Sequence, residues 1–362
     1  MKIGVLGSGQ LGRMLALSAY PLGHQMSFLA SSEEDPSSLL GNTFIQNGSQ
    51  EIIEEFAKNS DVVTYESENT AVSIVKEISQ KTMVYPSAKS LYTSQHRGRE
   101  KSLFDKLNIP CAPYQMVNNL SELKIAVENI GLPAILKTAT DGYDGKGQFL
   151  IQSDSQLDQA WKSMSGVESI LEGFVSFKRE LSLVAVRGVD NSHEYYPLVE
   201  NSHHNGILRL TIAPAQNISP KLQQQAESYM RSLLDEMNHV GVLTIELFET
   251  DSNLVVNEMA PRVHNSGHWT IEGARTSQFE NHIRAITETP LGNTSCTHEY
   301  SAMINIIGEQ GPVDKALTLK NAHLHLYNKT EREGRKLGHI TITANTVYDL
   351  NTSLETLSDF MP

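Results

Sequence analysis

The chain has 362 residues, which at roughly 100 to 200 residues per domain suggests two or three domains. With 39% apolar and 20% charged residues, and no apolar run near the roughly 18 residues that a membrane span needs, it has the composition of a soluble globular protein, so membrane transport is excluded. The 29 Lys and Arg residues against 42 Asp and Glu residues leave a net charge of −13, which repels polyanions and argues against nucleic acid as a partner.

The first 14 residues and the two cysteines bear on the cellular compartment. Residues 7–10, Gly-Ser-Gly-Gln, interrupt the first apolar stretch, so the segment does not match a signal peptide and we expect a cytoplasmic protein. Cys111 and Cys296 lie far apart without a CxxC or Cys/His spacing, which argues against a zinc site or a disulfide framework. We expect both to be inert thiols.

The first 100 residues alternate strand and helix patterns, which is typical of a doubly wound α/β domain. The predicted strands are residues 2–6, 25–30 and 61–65, and the predicted helices are residues 10–20 and 50–58. A further helix, predicted from about residue 94 to residue 107, opens a second region.

From Pro133 the pattern changes to strands joined by turns. A strand at 134–138, a glycine-rich loop at 141–147 and a strand at 148–152 are followed by strands predicted at 169–172, 180–186, 242–248 and 254–258. Tight turns join some of these strands, so we expect antiparallel pairing. The last 70 residues alternate short strands with turns and are expected to form a small β-rich module.

Gly7, Gly9 and Gly12 form a G-x-G-x-x-G pattern between a predicted strand and a predicted helix. Such a loop can hold a dinucleotide phosphate on backbone N–H groups. A dinucleotide site also requires an acid at the end of the second strand, and none occurs there before Glu33. A tight turn that packs the helix against the sheet is therefore favoured, and a loop beside another substrate remains an alternative.

The segment from Gly241 to Met259 predicts a hairpin that carries two carboxylates. If the hairpin is symmetric about Ser252, Glu246 lies opposite Glu258. Facing carboxylates repel each other, whereas a hard divalent cation such as Mg²⁺ converts the pair into a site. The alternative is a solvated pair on an exposed face.

Lys137 and the glycine-rich loop that follows it predict an anion site. Lys137 ends an otherwise apolar strand, and a buried lysine needs a partner such as a phosphate. The loop 142–147 has three glycines in six residues, so its backbone N–H groups can converge on an anion. It joins two strands, which excludes a Walker A loop, and a flexible hairpin tip is the alternative.

These residues resemble those of ATP-grasp ligases, and among them the N5-carboxyaminoimidazole ribonucleotide synthases of purine biosynthesis. The similar segments are residues 9–14, 64–69, Lys137 with 141–148, 257–270 and 334–339. The resemblance implies an α/β domain at 1–100, an ATP-grasp domain of two antiparallel β lobes at 101–290 with its small lobe at about 108–172, and a β-rich module at 291–362. His96 stands where relatives often carry an acid, and Ser8 replaces a frequent glycine.

The resemblance implies that ATP lies between the two lobes, with Mg²⁺ on Glu246 and Glu258. The strand 172–175 would bind adenine through its main chain, and Glu180 would bind the ribose unless it is only a solvated strand end. Either His203 or His204 would contact ATP. The ATP residues implied in this way are Arg97, Lys137, Gly142, Tyr143, Asp144, Gly145, Lys146, Gly147, Gln148, Glu172, Gly173, Phe174, Val175, Glu180, His203, Asn257 and Glu258.

The reaction implied by the resemblance begins with attack of bicarbonate on the γ-phosphate, which gives carboxyphosphate and ADP. The exocyclic amine of aminoimidazole ribonucleotide then captures carboxyphosphate, or CO₂ released from it. The implied catalytic residues are Arg262, His264, Asn265, Ser266 and Lys146. The implied substrate residues are Glu66, Tyr143, Asp144, Lys146, Lys329 and Arg335, with a loop acid at Glu66 and a solvated turn around Lys329 as alternatives.

The resemblance also implies a homodimer and allows a transient hand-off of the product to a downstream mutase. Two other functions remain open from the residues. One is a related ligase that activates formate for a glycinamide-type ribonucleotide. The other is a nicotinamide-dependent oxidoreductase, which only Gly7, Gly9 and Gly12 suggest.

Overall fold

The structure is a computed structural model that describes residues 1–142, 145–251 and 253–361. Three β-sheets organise it, a five-stranded, a four-stranded and a nine-stranded one. The predicted fold class, a doubly wound domain followed by antiparallel lobes and a β-rich module, is confirmed. Within the described ranges, none of the helices combines the length and the apolar character needed to cross a bilayer.

The N-terminal sheet is parallel, with strand order β3-β2-β1-β4-β5. Its strands are β1 (Lys2–Leu6), β2 (Gln25–Ala30), β3 (Asn42–Ile45), β4 (Val62–Tyr65) and β5 (Met83–Val84), and its helices are α1 (Gln10–Ala19), α2 (Gln50–Lys58) and α3 (Val72–Ile78). Strands β1, β2 and β4 are almost wholly buried, as expected for a sheet that helices cover on both faces. The carboxyl ends of β1 and β4 therefore meet at one edge, where Gly7 and Glu66 follow them.

The predicted helix 94–107 is wrong in its first part. Two helices occupy this region, α4 (Ala88–Ser94) and α5 (Arg97–Lys106). The chain breaks at His96, which is extended and caps α5, because its Nδ1 accepts hydrogen bonds from the N–H groups of Gly98 (3.1 Å) and Arg99 (3.4 Å). An acid could accept the same bonds, so His96 keeps the capping role, and Arg97 begins a new helix.

The small lobe is an antiparallel sheet with order β6-β9-β7-β8. Its elements are β6 (Tyr114–Val117), α6 (Leu120–Ile130), β7 (Ala134–Thr138), β8 (Gln148–Ile151), α7 (Leu157–Ser163) and β9 (Ser169–Gly173). Both helices pack with the sheet around one apolar core. Lys137 of β7 pairs with Gln148 of β8, so the glycine-rich loop closes a hairpin at the open end of this lobe.

The large sheet contains nine strands among the described residues. They are β10 (Arg179–Arg187), β11 (His193–Tyr195), β12 (Val199–His204), β13 (Ile207–Ala213), β14 (Gly241–Glu249), β15 (Leu254–Ala260), β16 (Tyr300–Ile307), β17 (Ala322–Leu326) and β18 (Lys336–Ala344). The helices packed around it are α8 (Pro220–Glu236), α9 (Thr270–Gly273), α10 (Gln278–Ile286), α11 (Val313–Leu317) and α12 (Val347–Thr356). Because β16 pairs with β13, the C-terminal β-rich segment continues the sheet of the large lobe.

The hairpin β14–β15 places Glu246 opposite Glu258, as the sequence predicts. The assumed symmetry about Ser252, a residue outside the described ranges, is wrong, because the N–H of Thr250 donates to the carbonyl of Asn253 (2.9 Å). The pairing shifts by one residue between Glu246 and Leu247, so one residue on β15 is extra. This β-bulge at Asn257 restores the register that brings the two glutamates together.

Helix α10 joins the N-terminal sheet to the large sheet through His282, a fully buried side chain. Its Nδ1 accepts a hydrogen bond from the N–H of Val242 (3.1 Å), and its Nε2 lies 2.8 Å from Oγ1 of Thr64 in β4. Because Nδ1 accepts, Nε2 carries the proton and donates to Thr64. Burial lowers the pKa of His282 to about 3, so the imidazole is neutral at pH 7.

We therefore expect His282 to make the stability depend on pH. Below its ordinary pKa of 6.5 the unfolded chain binds a proton at this residue that the folded chain does not bind, so stability falls as the pH falls. The loss between pH 7 and pH 5 amounts to about 2 kcal/mol for this residue. Denaturant midpoints should therefore fall less over that range in His282→Leu than in the wild type, although the variant is less stable at pH 7.

Replacement of the exposed His323 by Leu is the control for losing a surface histidine. A pH dependence in His282→Leu as steep as that of the wild type would contradict the assignment of a neutral imidazole.

Candidate active site

A row of buried charges crosses the interface between the lobes. Lys137 of β7 lies 2.8 Å from one oxygen of Glu172 in β9, and Lys101 of α5 lies 3.6 Å from the other. Burial would raise the pKa of Glu172, but Lys137 and Lys101 together lower it to about 2. The sequence predicts a partner such as a phosphate for Lys137, and in the structure the carboxylate of Glu172 is a partner. The amide oxygen of Asn257 lies 3.5 Å from the ammonium of Lys137. The lysine is fixed beside the cleft before any phosphate arrives.

The two glutamates of the hairpin form the centre of this region. Arg97 donates from Nη1 to Oε2 of Glu258 (2.9 Å), and Nε2 of His264 lies 3.4 Å from Oε1 of Glu246. Burial and the charge of Glu258 raise the pKa of Glu246 to about 7. Burial also acts to raise the pKa of Glu258, but Arg97 and Lys137 outweigh it and lower the value. Nearby cations therefore compensate the negative charge of Glu258, whereas that of Glu246 is not compensated.

This pair fits a hard divalent cation. The two carboxylates face each other across the strand pair. A cation between their oxygens would remove the repulsion that raises the pKa of Glu246. In the described part of the chain, no group of three or more His, Cys, Asp or Glu side chains is arranged as a metal site. A cation held here would thus take its other oxygens from water or from a ligand, as Mg²⁺ does in nucleotide sites.

His203 of β12 contacts the acid predicted to bind ribose. Its Nδ1 lies 2.9 Å from Oε2 of Glu180 in β10. Burial lowers the pKa of His203, but Glu180 more than offsets this, so the pKa is raised. His204, the other candidate for the ATP contact, is exposed. The pleat of β12 therefore directs His203, and not His204, toward the cleft.

The predicted adenine strand ends earlier than expected. Strand β9 stops at Gly173, and residues 174–178 link the lobes without regular structure. The N–H of Gly173 donates to the carbonyl of Pro113 (2.8 Å), and the N–H of Phe174 donates to that of Pro133 (3.1 Å). Those two donors are therefore engaged, and the predicted adenine contact would have to use other main-chain groups of residues 174–178, such as the N–H and the carbonyl of Val175.

Two described glycines of the glycine-rich loop lie close to residues outside the small lobe. A Cβ on Gly142 would lie 3.2 Å from Nη2 of Arg97, and one on Gly145 would lie 3.0 Å from the Cα of Gly206 in the β12–β13 turn. Gly147 has a positive φ of 70°, as Gly145 has one of 75°, and the side chains of Lys146 and Gln148 are exposed. The predicted contact residues Tyr143 and Asp144 lie outside the described residues. The loop thus reaches from the small lobe to the large lobe.

The N-terminal glycine pattern encloses a carboxylate of the same chain. Glu66, which follows β4, accepts hydrogen bonds from the N–H groups of Gly9 (2.5 Å) and Gly12 (2.7 Å). A Cβ on Gly7, where φ is +108°, would lie 2.5 Å from an oxygen of Glu66. Burial raises the pKa of Glu66 although these N–H groups oppose it. The donors that could hold a dinucleotide phosphate are therefore taken by Glu66.

A cavity of about 720 Å³ opens beside this carboxylate. Lys329 and Arg335 from the C-terminal segment line it together with Glu66. Lys329 donates to Oε1 of Gln10 (2.5 Å), and burial together with Arg335 lowers its pKa to about 8. Both predicted phosphate residues thus lie with Glu66 at one cavity that holds positive charge.

A second, narrower cavity of about 70 Å³ lies beside Glu258. Its lining includes Arg97, Arg262 and His264, and Asn69 lines both this cavity and the larger one. The two cavities therefore adjoin at Asn69, on the segment that follows β4.

Arg262 and His264, two residues of the segment 262–266, line the narrow cavity. Burial lowers the pKa of His264 to about 3, with a further contribution from Arg262, so its imidazole is neutral at pH 7. Its Nδ1 accepts from the N–H of Ser266 (3.3 Å) and lies 2.8 Å from the Ser266 hydroxyl. Among the described residues, the buried amide N and O of Asn265 have no hydrogen-bond partner. An unpartnered buried amide, next in the chain to the lining residue His264, can bind a small polar ligand.

Sequence reasoning missed Glu68, Glu100 and Lys101 as parts of this region. Glu68 forms an ion pair with Arg262; burial alone would raise its pKa, but Arg262 lowers it to about 2. Glu100 accepts from the N–H of Met259 (2.6 Å), and burial raises its pKa to about 8. Helical spacing was the available signal, since Glu100 and Lys101 follow Arg97 by three and four residues and thus share its face.

Family models match three consecutive parts of the chain. They are described as a ribonucleotide synthetase preATP-grasp domain at residues 1–95, an ATP-grasp domain at 102–279 and a phosphoribosylaminoimidazole carboxylase C-terminal domain at 301–353.

Individual relatives match over nearly the whole length. N5-carboxyaminoimidazole ribonucleotide synthase of Pseudomonas aeruginosa is 46% identical over 343 residues, which cover 94% of both chains. The crystal structure of N5-carboxyaminoimidazole ribonucleotide synthetase from Thermus thermophilus has a TM-score of 0.95 and 45% identity, with coverage of 99% of this chain and 98% of that one. N5-carboxyaminoimidazole synthase from Aspergillus clavatus, solved in complex with ADP and 5-aminoimidazole ribonucleotide, has a TM-score of 0.92 and 34% identity, with the same coverage.

The close approach of Gly7 to Glu66 predicts a specific sensitivity. Gly7→Ala introduces a Cβ that overlaps the carboxylate, whereas Gly23→Ala introduces one at positive φ with no atom within 4 Å. We expect Gly7→Ala to lower the thermal midpoint clearly more than Gly23→Ala, since backbone strain is common to both and the clash is not. In the Gly7→Ala background, Glu66→Ala should recover part of the loss. An additive double variant would contradict the contact.

Proposed function

The chain belongs to the family of N5-carboxyaminoimidazole ribonucleotide synthases, and from that premise we propose which of its residues perform each part of the reaction. It is an ATP-grasp ligase of purine biosynthesis that uses ATP. The two alternatives, a formate-activating ligase and a nicotinamide-dependent oxidoreductase, have no support in these relatives. We propose further that bicarbonate supplies the carboxyl group and that Mg²⁺ accompanies the nucleotide.

ATP would lie between the lobes, with its phosphates along the row of buried cations. Lys137 and Arg97 are fixed by Glu172 and Glu258 and face the cleft, so phosphate oxygens could share them with these carboxylates. Backbone N–H groups of the loop 142–148 would add donors, and closure of that loop would exclude water from a mixed anhydride. Toward the nucleoside end of ATP, Glu180 would bind the ribose, and its neighbour His203 would bind a phosphate.

Glu246 and Glu258 would hold Mg²⁺, with the amide oxygen of Asn257 nearby. A bound Mg²⁺ would supply charge neutralisation at the β- and γ-phosphate oxygens. The side chain of Arg97 would remain on the outer side of Glu258 and keep that carboxylate ionised. Glu246, whose pKa is raised to about 7, would become fully ionised only when a cation is present.

Bicarbonate would bind in the narrow cavity, which Arg262 and His264 line. Asn265, the neighbour of His264 in the chain, would offer it the buried amide groups that have no hydrogen-bond partner among the described residues. An oxygen of bicarbonate attacks the γ-phosphorus, the bond to the bridging oxygen breaks, and ADP leaves. The neutral His264 would orient the nucleophile through a hydrogen bond, held in position by Ser266. The product of this step is carboxyphosphate.

Aminoimidazole ribonucleotide would bind in the large cavity, with its 5′-phosphate on Lys329 and Arg335. Glu66 would contact the ribose or the imidazole with the lone pairs that Gly9 and Gly12 leave free. The exocyclic amine attacks the carbonyl carbon of carboxyphosphate, the bond from that carbon to the phosphate oxygen breaks, and phosphate leaves while the amine loses a proton. If carboxyphosphate first breaks down to CO₂ and phosphate, the amine attacks CO₂ and loses only a proton. Lys146, together with Tyr143 and Asp144, would contact the ribonucleotide from the loop 142–148.

The observation that carries this proposal is that Asn69 lines both cavities, because it makes the cavity beside Glu258 and the cavity beside Glu66, Lys329 and Arg335 neighbours. A coupled ADP assay with each component omitted in turn tests it. ADP release should require bicarbonate and aminoimidazole ribonucleotide. Release that formate supports in place of bicarbonate would favour the formate-activating alternative.

Three further expectations rest on the family resemblance. We propose that the protein is cytoplasmic, that it forms a homodimer, and that its labile product passes to a downstream mutase. Analytical ultracentrifugation tests the dimer, and competition by an inactive mutase for product in a coupled assay tests the transfer.

The metal role of the hairpin predicts the effect of neutralising it. Glu258→Gln should reduce ADP formation by about 100-fold or more, because several kcal/mol of charge stabilisation at the phosphates would be lost. Its thermal midpoint should stay near that of the wild type. Glu128→Gln, an exposed change on α6, is the matched control. Wild-type turnover in Glu258→Gln would remove the metal assignment.

The phosphate role of the C-terminal cations predicts a selective change in KM. Lys329→Ala should raise the KM for aminoimidazole ribonucleotide by about 10- to 100-fold, the range expected when a charged hydrogen bond of about 1.5–3 kcal/mol is lost. The KM for ATP should change little, since Lys329 lines the other cavity. Lys320→Ala, exposed in the same segment, should leave both constants unchanged. An unchanged KM for the ribonucleotide would refute the assignment.

A further inference from the structure

Three side chains on one face of α5 contact three successive residues of β15. The carboxylate of Glu258 accepts from Arg97, as described above. Glu100 accepts a hydrogen bond from the N–H of Met259 (2.6 Å), and Lys101 donates to the carbonyl of Asn257 (2.7 Å). The helix therefore holds the main chain on both sides of Glu258.

These contacts lie at the β-bulge. Toward the turn, β14 and β15 pair with residue numbers that add up to 503, as in Leu247 with Val256; beyond the bulge the sum is 504, as in Glu246 with Glu258. The extra residue, Asn257, has no partner on β14. Its carbonyl is the one that Lys101 contacts.

Without the bulge the hairpin would lose its carboxylate pair. A continuous register would set Glu246 opposite Asn257 and Glu258 opposite Ile245. Because side chains alternate between the faces of a sheet, Glu258 would then point to the face of Ile245. That face belongs to an apolar core with Leu247 and Val256. The bulge is what brings Glu258 to the same face as Glu246.

Glu100 and Lys101 are ionisable residues at positions where burial makes them energetically unfavourable. Glu100 is 2% exposed and Lys101 is 0% exposed, and burial of a polar or charged side chain is unfavourable unless its partners compensate. The carbonyl of Asn257 and the carboxylate of Glu172 compensate Lys101, and the charge of Lys101 and the N–H of Met259 do so for Glu100. A purely apolar pair would fill the same space without fixing the bulge.

We propose that Glu100 and Lys101 are positioning residues that hold the β-bulge of β15 and thereby keep Glu258 opposite Glu246. This inference rests on the proposed role of the two glutamates as Mg²⁺ ligands. Helix α5 would thus contribute to metal-dependent nucleotide binding indirectly. Neither side chain would touch the metal or the nucleotide.

The test compares MgADP with metal-free ADP. In Glu100→Leu the acceptor for the Met259 N–H is lost, whereas in Glu100→Gln it is kept. Calorimetric titration should show about tenfold weaker MgADP binding in Glu100→Leu, the effect of about 1.4 kcal/mol, and ADP affinity in EDTA within about twofold of the wild type. Glu100→Gln should bind MgADP within about twofold of the wild type. Ser102→Ala, an exposed change on the same helix, is the control.

Two outcomes would overturn the inference: MgADP binding of Glu100→Leu equal to that of the wild type, or equal losses with and without Mg²⁺, which would mark Glu100 as merely structural. If Glu100→Leu does not fold, Lys101→Met is measured in the same way and should show the same selective loss. Failure of the underlying metal assignment is distinguishable, because the wild type itself would then gain no ADP affinity from Mg²⁺.

Discussion

The repulsion between Glu246 and Glu258 is the constraint around which the rest of the cleft is arranged. The two carboxylates face each other on a buried strand pair, where like charges are unfavourable, and the surrounding residues compensate only one of them. Arg97 holds Glu258 ionised, while the pKa of Glu246 stays near neutrality. In a sheet with a purely structural role, this arrangement would only lower the stability of the fold. A divalent cation bound between the two carboxylates, as we propose, would remove this repulsion and give the arrangement a physical reason.

The end of β4 contributes two carboxylates that the fold treats differently. Glu66 is enclosed by the N–H groups of the glycine loop, and Glu68 is paired with Arg262. The first therefore belongs to the large cavity and the second to the narrow one, and Asn69 borders both. A short segment after one strand thus contributes to both cavities. Under the proposed function this segment would lie between the phosphate that is activated and the amine that captures the carboxyl group, which would make the N-terminal domain part of the catalytic unit.

Much of the fold and part of the site could be predicted from the sequence, and the failures have definite causes. The periodic patterns located the three regions, and the opposition of Glu246 and Glu258 was predicted from turn composition. The bulge at Asn257 was not, since an extra residue leaves no sign in a single sequence, and the prediction held only because the bulge offset the error in the turn. The break at His96 was missed because a histidine cap is unusual. The capture of Glu66 by Gly9 joins residues 57 positions apart, which no local pattern reveals.

The buried ion pairs also explain how a chain with a net charge of −13 can bind a polyanionic nucleotide. Glu172 fixes both Lys137 and Lys101, so the cations stand in position before a ligand arrives and binding requires little reorganisation. Lys137 and Lys101 leave one positive charge beyond that of Glu172, which is less than the negative charge of a triphosphate, and an ionised Glu246 would cancel it. A nucleotide alone would therefore bring an excess of negative charge, and a cation alone would lack oxygens to complete its coordination. Each corrects the imbalance that the other leaves, which is a physical reason for the two to bind together.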